Sequence, residues 1–268
     1  MPTIVITGAS SGIGRATTRY FAVRGWRVAA TMRTPEAHGD LAALENVDTY
    51  RLDVTDVASI ERARDAIFRS LETVDVVVNN AGYALAGPFE AATDEQIRRQ
   101  FDTNVFGLMA VTRAFLPRFR DRGAGMFVNM SSTAGLATAP FLSPYASSKF
   151  AVEGFSEAVA FELREVGVRV KVVEPGRFAT DVNGRSMDRA SRDGLTAYGP
   201  AWERFSRVWA AQEERDPELV AEAVYGAVTD GEDRLRYLVG PDAEWSVGYR
   251  RERGDDAYMA RIAELYLG

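Results

Sequence analysis

Along the chain, short runs of apolar residues alternate with longer stretches in which apolar positions recur every three or four residues. The runs, such as Ile4 Val5 Ile6 and Val74 Asp75 Val76 Val77 Val78, are nearly unbroken, as suits strands of a parallel sheet covered on both faces. The pattern predicts strands at Ile4 to Ile6, Trp26 to Thr31, Thr49 to Leu52, Val74 to Val78, Met126 to Met130, Val168 to Val173 and Leu235 to Val239. Helical spacing runs from Ile13 to Val23, Val57 to Leu71, Thr93 to Phe119 and Ser143 to about Val166, with a further helix after Asp216 Pro217 and a terminal one from Asp242. Strands alternating with helices throughout imply an α/β fold: a doubly wound parallel sheet of about seven strands with helices on both faces, in a single domain over residues 1–268.

Local signals sharpen these elements. Gly25 closes the first helix. Thr93 with Gln96 forms a capping box ahead of the apolar row Ile97, Phe101, Val105, Leu108, Phe115 and Phe119. Asn104 sits beside that row, where a buried amide needs partners: it satisfies the helix and a neighbouring strand, or it joins a polar site. Pro117 is expected to kink or fray the last turns. Ser143 is a natural N-cap and Pro144 a natural first helical residue, which puts Tyr145 and Lys149 four apart on one face. Their helix is apolar over much of its circumference (Phe150, Val152, Phe155, Val159, Phe161, Leu163), so one face can cover the sheet while the other suggests a subunit partner. Glu174 Pro175 Gly176 is expected to break the sixth strand. The segment 177–216 is too long for an idle loop and carries Phe178, Tyr198, Trp202, Phe205 and Trp209, which reads as a helical substrate lid with an apolar underside. Trp245 is the expected anchor of the terminal helix.

Composition acts mainly by exclusion. Hydrophobic residues make up 46% and charged residues 26% of the chain, ordinary proportions for a soluble globular protein. A net charge of −6 gives no sign of a nucleic-acid or anionic-membrane surface. With no cysteine there are no disulfides, thiolate zinc sites or cysteine nucleophile, and with one histidine no metal site is expected. That histidine, His38, lies in a polar loop without a Ser, Cys or ligand cluster nearby and is expected to be solvated. The N-terminus enters its first strand without a leader, so the expected location is cytoplasmic. The longest uncharged stretch, Gly123 to Ser148, is too rich in Ser, Thr, Gly and Pro to span a membrane.

Candidate chemistry begins at the turn Thr7 Gly8 Ala9 Ser10 Ser11 Gly12 Ile13 Gly14 between the first strand and helix. Glycines there admit backbone conformations closed to other residues and let a ligand approach, while the helix N-terminus favours a pyrophosphate. The spacing departs from G-x-G-x-x-G, but the same physics reads as a dinucleotide-binding start. About 18 residues beyond the last glycine, at a strand end, NAD-binding proteins place an acid for the ribose hydroxyls. Here that position is Met32, followed by Arg33. A guanidinium pairs with a 2′-phosphate that a carboxylate would repel, so NADP(H) is expected over NAD(H), which stays possible. Asp53 either caps the next helix or touches a cofactor base. Asn79 Asn80 Ala81 Gly82 lie at the carboxyl end of a buried strand, where open α/β sheets bind ligands.

A second constellation joins Ser132, Tyr145 and Lys149. A tyrosine with pKa near 10 is a poor acid–base at neutral pH. At roughly 5 Å and an effective dielectric near 20, the Lys149 charge is expected to stabilise a phenolate by about 3 kcal/mol, about two pKa units. Tyr145 would then exchange a proton with a carbonyl or alcohol oxygen that Ser132 holds.

With these residues in view, the sequence resembles the short-chain dehydrogenase/reductase family. Thr7 to Gly14, Asp53 Val54, Asn79 to Gly82, Asn104, Ser131 Ser132, Tyr145 with Lys149, and Pro175 Gly176 with Thr180 stand in that family's order and spacing. The resemblance implies a Rossmann fold with strand order 3-2-1-4-5-6-7 and a catalytic tetrad of Asn104, Ser132, Tyr145 and Lys149. In it, Lys149 also binds the nicotinamide ribose and Asn104 holds a water in a proton relay. It implies a cofactor held by Gly8, Ser10, Ser11, Gly12, Ile13 and Gly14, with Asp53 and Val54 at the adenine. Asn80, Ala81 and Gly82 would then lie on the adenosine ribose side, and Pro175, Gly176, Phe178 and Thr180 would meet the nicotinamide and phosphate. It also implies homodimers or homotetramers built on the two long helices. Arg177 has no role in this reading. The expected function is NADP(H)-dependent interconversion of a ketone and an alcohol, on a mostly apolar substrate suggested by Tyr83, Leu85, Phe141 and Leu142. The alternatives are a regulatory NADP(H) sensor without turnover, an NAD-dependent dehydrogenase, or an epimerase or dehydratase of the same fold.

Overall fold

The computed structural model of the chain describes residues 1–180, 187–191 and 194–268. The apolar runs become strands β1 (Thr3–Thr7), β2 (Arg27–Met32), β3 (Val47–Arg51), β4 (Val76–Asn79), β5 (Ala84–Ala86), β6 (Gly125–Met130), β7 (Val168–Pro175), β8 (Met187–Arg189) and β9 (Arg236–Val239). Seven of them form one parallel sheet in the order β3-β2-β1-β4-β6-β7-β9, while β5 and β8 pair separately. Counting only the strands of the large sheet, this is the expected order 3-2-1-4-5-6-7. The order reverses between β1 and β4, and such a switch point opens a crevice at the carboxyl ends of the strands.

Helices cover both faces: α1 (Gly12–Ala22), α2 (Gly39–Ala42), α3 (Val57–Ser70), α4 (Asp94–Phe101), α5 (Leu108–Arg122), α6 (Ser143–Arg164), α7 (Gly199–Ala211), α8 (Glu218–Thr229), α9 (Pro241–Arg253) and α10 (Asp255–Leu267). Successive strand residues point to opposite faces, and here both are apolar. Ile4, Ile6 and Val28 pack with Phe21, Trp26, Val220 and Val224 on the α1/α8 side. Val5, Ala29 and Val77 pack with Ile67, Phe115, Phe119 and Leu163 on the α3/α5/α6 side. A third core lies off the sheet, where Phe205 of α7 meets Val247, Tyr258, Ile262 and Tyr266 of the two C-terminal helices. Among the described residues no helix is long and apolar enough to cross a membrane.

Several expectations are corrected. The long helix from Thr93 keeps its capping box but is interrupted by a π-helical segment, Asp102–Gly107, before continuing to Arg122. The break therefore lies at Asn104, whereas Pro117 sits inside the regular helix α5. Gly123 ends that helix in the left-handed region at φ 67°. β7 runs through Glu174 and Pro175 because both pair with β9, as Leu238 and Val239 lie opposite them. Leu142, without a side-chain cap bond, holds the N-cap position of α6, and Ser143 is its first residue. Pro217 holds the N-cap position of α8, and Asp216 Oδ1 accepts the N–H of Glu218 at 2.9 Å just before it. The terminal helix is two helices divided at Gly254, and the anchors are Val247, Tyr258, Ile262 and Tyr266, since Trp245 stays partly exposed. His38 is buried with Nε2 unpartnered, not solvated, and its carbonyl accepts the N–H of Leu41, a residue of the first core, at 3.0 Å. Phe178 belongs to that core, and the segment 177–216 expected as a lid contains α7, with residues 181–186 and 192–193 of it outside the described residues.

Candidate active site

The glycine turn is locked to the end of β4. Thr7 Oγ1 accepts the N–H groups of Asn80 and Ala81, each at 3.0 Å, and donates to the Val78 carbonyl at 3.3 Å. The Asn80 amide donates to the carbonyls of Thr7 and Gly8 at 2.8 and 3.2 Å. Gly8 stands at φ 68°, and a Cβ there would lie 2.8 Å from Ala81 Cα; one at Gly14 would collide with Asn80 and the Gly8 carbonyl. Only glycine fits either position. Ser11 occupies the N-cap of α1 but makes no side-chain cap bond, so the first-turn N–H groups stay free to meet an anion. This uncapped helix behind a cradle that a Cβ would fill fits a dinucleotide diphosphate.

A cavity of about 830 Å³ runs along the carboxyl ends of the strands. Its lining includes every residue expected at the cofactor, from Gly8 to Gly14 except Ala9, through Arg33, Asp53, Val54 and Asn80 to Gly82, to Pro175, Gly176, Phe178 and Thr180. Ser132, Tyr145 and Lys149 border the same cavity, and Asn104 does not. At the β2 end Met32 is buried and Arg33 exposed. Asp56 caps α3, accepting the Ala58 N–H at 2.9 Å. Asp53 instead accepts from the N–H and hydroxyl of Thr55, which excludes the capping alternative and leaves it facing the cavity.

The parallel sheet sets the other end. Lys149, buried on α6, donates from Nζ to the Met130 carbonyl at 2.8 Å, so the last residue of β6 fixes its position. Ser132, two residues on, accepts the Ala134 N–H at 3.1 Å and donates to the Pro175 carbonyl at 3.5 Å. Lys149 Nζ lies 5.9 Å from the centre of the Tyr145 ring.

The expected electrostatics are reversed. Burial pushes the Tyr145 phenol above its usual value of 10.0, opposed only by the Ser132 hydroxyl. Burial also takes Lys149 down to about 8, against the pull of the Glu153 carboxylate, so the cation expected to lower Tyr145 is itself weakened. Asn104 resolves the other way from a cavity group. Its Oδ1 accepts the Tyr83 N–H at 3.1 Å, and its Nδ2 donates to the Tyr83 carbonyl and to Ser148 Oγ at 3.0 and 3.2 Å. It ties the π segment to β5 and to the residue before Lys149.

Arg177 acquires a place. Its N–H donates to Asp242 at 2.7 Å, its guanidinium lies 5.1 Å over Trp209, and Nη2 pairs with Glu214 at 2.7 Å. Asp242 also receives Arg215 at 2.7 Å, so one carboxylate joins the loop after β7 to the segment preceding α8. The C-terminal residues Tyr258, Ile262 and Tyr266 line the cavity without having been expected there, although their spacing of four marks one helical face.

Known proteins match this architecture. The family described as short chain dehydrogenase matches residues 2–190. An oxidoreductase of Schizosaccharomyces pombe is 37% identical over 243 residues, covering 88% of this chain and all of that protein. The NADPH-dependent 3-dehydrocapnine reductase of Ornithobacterium rhinotracheale is 32% identical, covering 88% of this chain and 87% of its own. Among solved structures, a short-chain dehydrogenase from Streptomyces avermitilis superposes with a TM-score of 0.84 at 34% identity, covering 98% of this chain and 96% of that one. A short chain dehydrogenase/reductase from Burkholderia phymatum in complex with NAD gives 0.80 at 26% identity, covering 94% and 93%.

Proposed function

The chain belongs to the short-chain dehydrogenase/reductase family of nicotinamide-dependent oxidoreductases. From that premise we propose that it transfers a hydride between NADP(H) and the carbonyl or secondary-alcohol carbon of a mostly apolar substrate, with Tyr145 as general acid/base. The observation that carries this reading is the meeting of Ser132, Tyr145 and Lys149 with the glycine turn in one cavity. When bound, the nicotinamide supplies or accepts the hydride. Tyr145, kept as a phenol by burial, is in the form that gives a proton to a carbonyl oxygen, and Ser132 Oγ holds that oxygen. The Lys149 ammonium stabilises the phenolate left behind. Asn104 acts by position, fixing the start of β5 and Ser148 next to Lys149.

Charge supports NADP(H). Arg33 offers a guanidinium where Met32 replaces the acid that a 2′-phosphate would find repulsive. The relative from O. rhinotracheale is named as NADPH-dependent and the structure from B. phymatum holds NAD, so both cofactors occur among similar proteins. Gly8, Ser10, Ser11, Gly12, Ile13 and Gly14 take the diphosphate, Asp53 and Val54 the adenine, Asn80 to Gly82 the adenosine ribose side, and Pro175 to Thr180 the nicotinamide. Ala137, Leu142, Trp209 and Ile262 give the remaining cavity its apolar lining. Residues 177–216 serve as the lid of a single cytoplasmic domain, and exposed Phe106, Phe150 and Phe161 pair copies of the chain into a dimer or tetramer.

Initial rates with NADPH and NADH across a panel of apolar ketones test the reading. Faster turnover with NADPH, abolished by Tyr145→Phe with NADPH binding retained, supports it. Tight NADPH binding without turnover of any ketone overturns it in favour of a sensor.

A further inference from the structure

Next to the catalytic lysine the protein buries carboxyl groups that the proton transfer through Tyr145 does not use. Glu153 stands one helical turn beyond Lys149 on α6, 4% exposed, and Glu174 on β7, directly before Pro175, is fully buried. One guanidinium, that of Arg236 on β9, serves three carboxyls. Its Nε donates to Glu153 Oε2 at 2.9 Å, its Nη2 to Glu157 Oε2 at 2.6 Å, and Nε lies 3.6 Å from Glu174 Oε1. Glu153 Oε1 and both oxygens of Glu174 are buried without any hydrogen-bond partner.

Two buried carboxylates beside one cation do not both stay ionised, and the one with the poorer partner takes the proton. Glu174 is that one. Burial and the Glu153 charge push its carboxyl up to about 8, against the pull of Arg236 and Arg251. Glu153 is in direct ion-pair contact with Arg236, and its carboxylate opposes the burial that draws the Lys149 ammonium down. The small Gly135 lets this group close up, since a Cβ there would stand 3.1 Å from both Glu153 Cγ and the Lys149 carbonyl.

We propose that Glu153 is a positioning residue for Lys149: held by Arg236 and backed by the buried, unpartnered Glu174, its carboxylate supports the lysine ammonium while the site works. The titratable and charged groups around the pair among the described residues are Tyr145, Lys149 and Glu157 on α6, Arg236 on β9 and Arg251 on α9. As pH rises, Glu174 ionises and adds a second negative charge beside Glu153 and Arg236, so the group releases its protons as one coupled set.

The role of Glu153 rests on the reductase reading, so one arm of the test does not need turnover. Infrared difference spectra of the full chain at pH 7 are expected to show a buried neutral carboxyl band that Glu174→Gln removes and that, in Glu153→Gln, where the neighbouring charge is gone, titrates away at lower pH. Absence of the band in the wild type, or its persistence in E174Q, overturns the inference even if turnover is normal. In the other arm the alkaline limb of kcat/KM, or of NADPH binding, moves down by about one pH unit in E153Q. Glu153→Asp, which keeps the charge, leaves the limb in place. A folded E153Q with the limb unmoved, or an equal shift in E153D, overturns the role of Glu153. If E153Q does not fold, a downward limb shift in E174Q, smaller than one unit, is the expected result, and no shift overturns the coupling. Failure of the reductase reading is recognised separately, as NADPH binding without turnover.

Discussion

A guanidinium at the end of β2 and a carboxylate in the same place would select opposite cofactors, and the chain presents exposed Arg33 beside buried Met32 at the cavity. A charge-assisted hydrogen bond of about 1.5–3 kcal/mol corresponds to roughly 10- to 100-fold in affinity. Arg33→Ala is therefore expected to weaken NADPH binding by that factor and leave NADH unchanged; equal losses for both, read by fluorescence titration, would remove Arg33 from the 2′-phosphate. Glu174 makes a second claim at this scale. Its proton is held more tightly in the folded chain, at about 8, than at the ordinary 4.5, so its stabilisation is complete below about 4.5 and is lost as pH rises through about 8. Lys149, depressed from 10.5 to about 8, has the opposite sign, and stability recovers as pH climbs from 8 towards 10.5. The thermal midpoint should thus fall between pH 5 and 8, and Glu174→Gln should flatten that fall; a slope of equal steepness in the variant would place the titration elsewhere. Neither Glu174 nor His38 announces itself in sequence, because burial of a single polar residue is decided by segments far away in the chain. The same holds for Tyr145: its neighbour Lys149 is legible, the desolvation of both is not.

At the scale of elements, strands are legible wherever a β-branched run is unbroken, since a parallel strand covered on both faces has no polar alternation to confuse it. The π segment is hidden because the apolar row from Ile97 to Phe119 continues across it, and the extra residue per turn is absorbed where Gly107 presses on Val54. A Cβ at Gly107 would stand 2.9 Å from that of Val54. The pairing of β5 with β8 is equally invisible, three residues meeting three across a hundred positions of chain. Asn104 links these features, for its Oδ1 is the partner of the Tyr83 N–H, while the Tyr83 carbonyl also receives Gln100 at 2.7 Å. Asn104→Ala leaves the N–H as the orphan. It should cost about 1–3 kcal/mol, seen as a lower urea midpoint, and a change near zero would mean that water replaces the amide without loss. Pro175 reads as a strand breaker in sequence, yet it lies opposite Val239 on β9 and the ladder bond there is made by the next residue, whose N–H (Gly176) donates to the Val239 carbonyl at 2.9 Å.

For the whole molecule, the family motifs legible in the sequence stop at Thr180, but the roof of the cavity is built from residues beyond that point. Phe205 sits among Phe141, Trp202, Trp209 and Tyr266, with ring centres 5.4 to 5.6 Å apart, in a core separate from the two that sandwich the sheet. That core shares its residues Tyr258, Ile262 and Tyr266 with the cavity lining, so this side of the site is shaped by packing separate from that of the sheet. Truncating a buried phenylalanine costs about 3–5 kcal/mol where the surroundings cannot collapse. If the roof opens as its own unit, Phe205→Ala should raise hydrogen exchange in α7 and α10 while β1, β4 and β6 keep their protection, and KM for an apolar ketone should rise with it. Equal loss of protection in the sheet would instead show that roof and sheet unfold together. In that case the C-terminal helices are part of the fold's own stability, and substrate could not enter by their local opening.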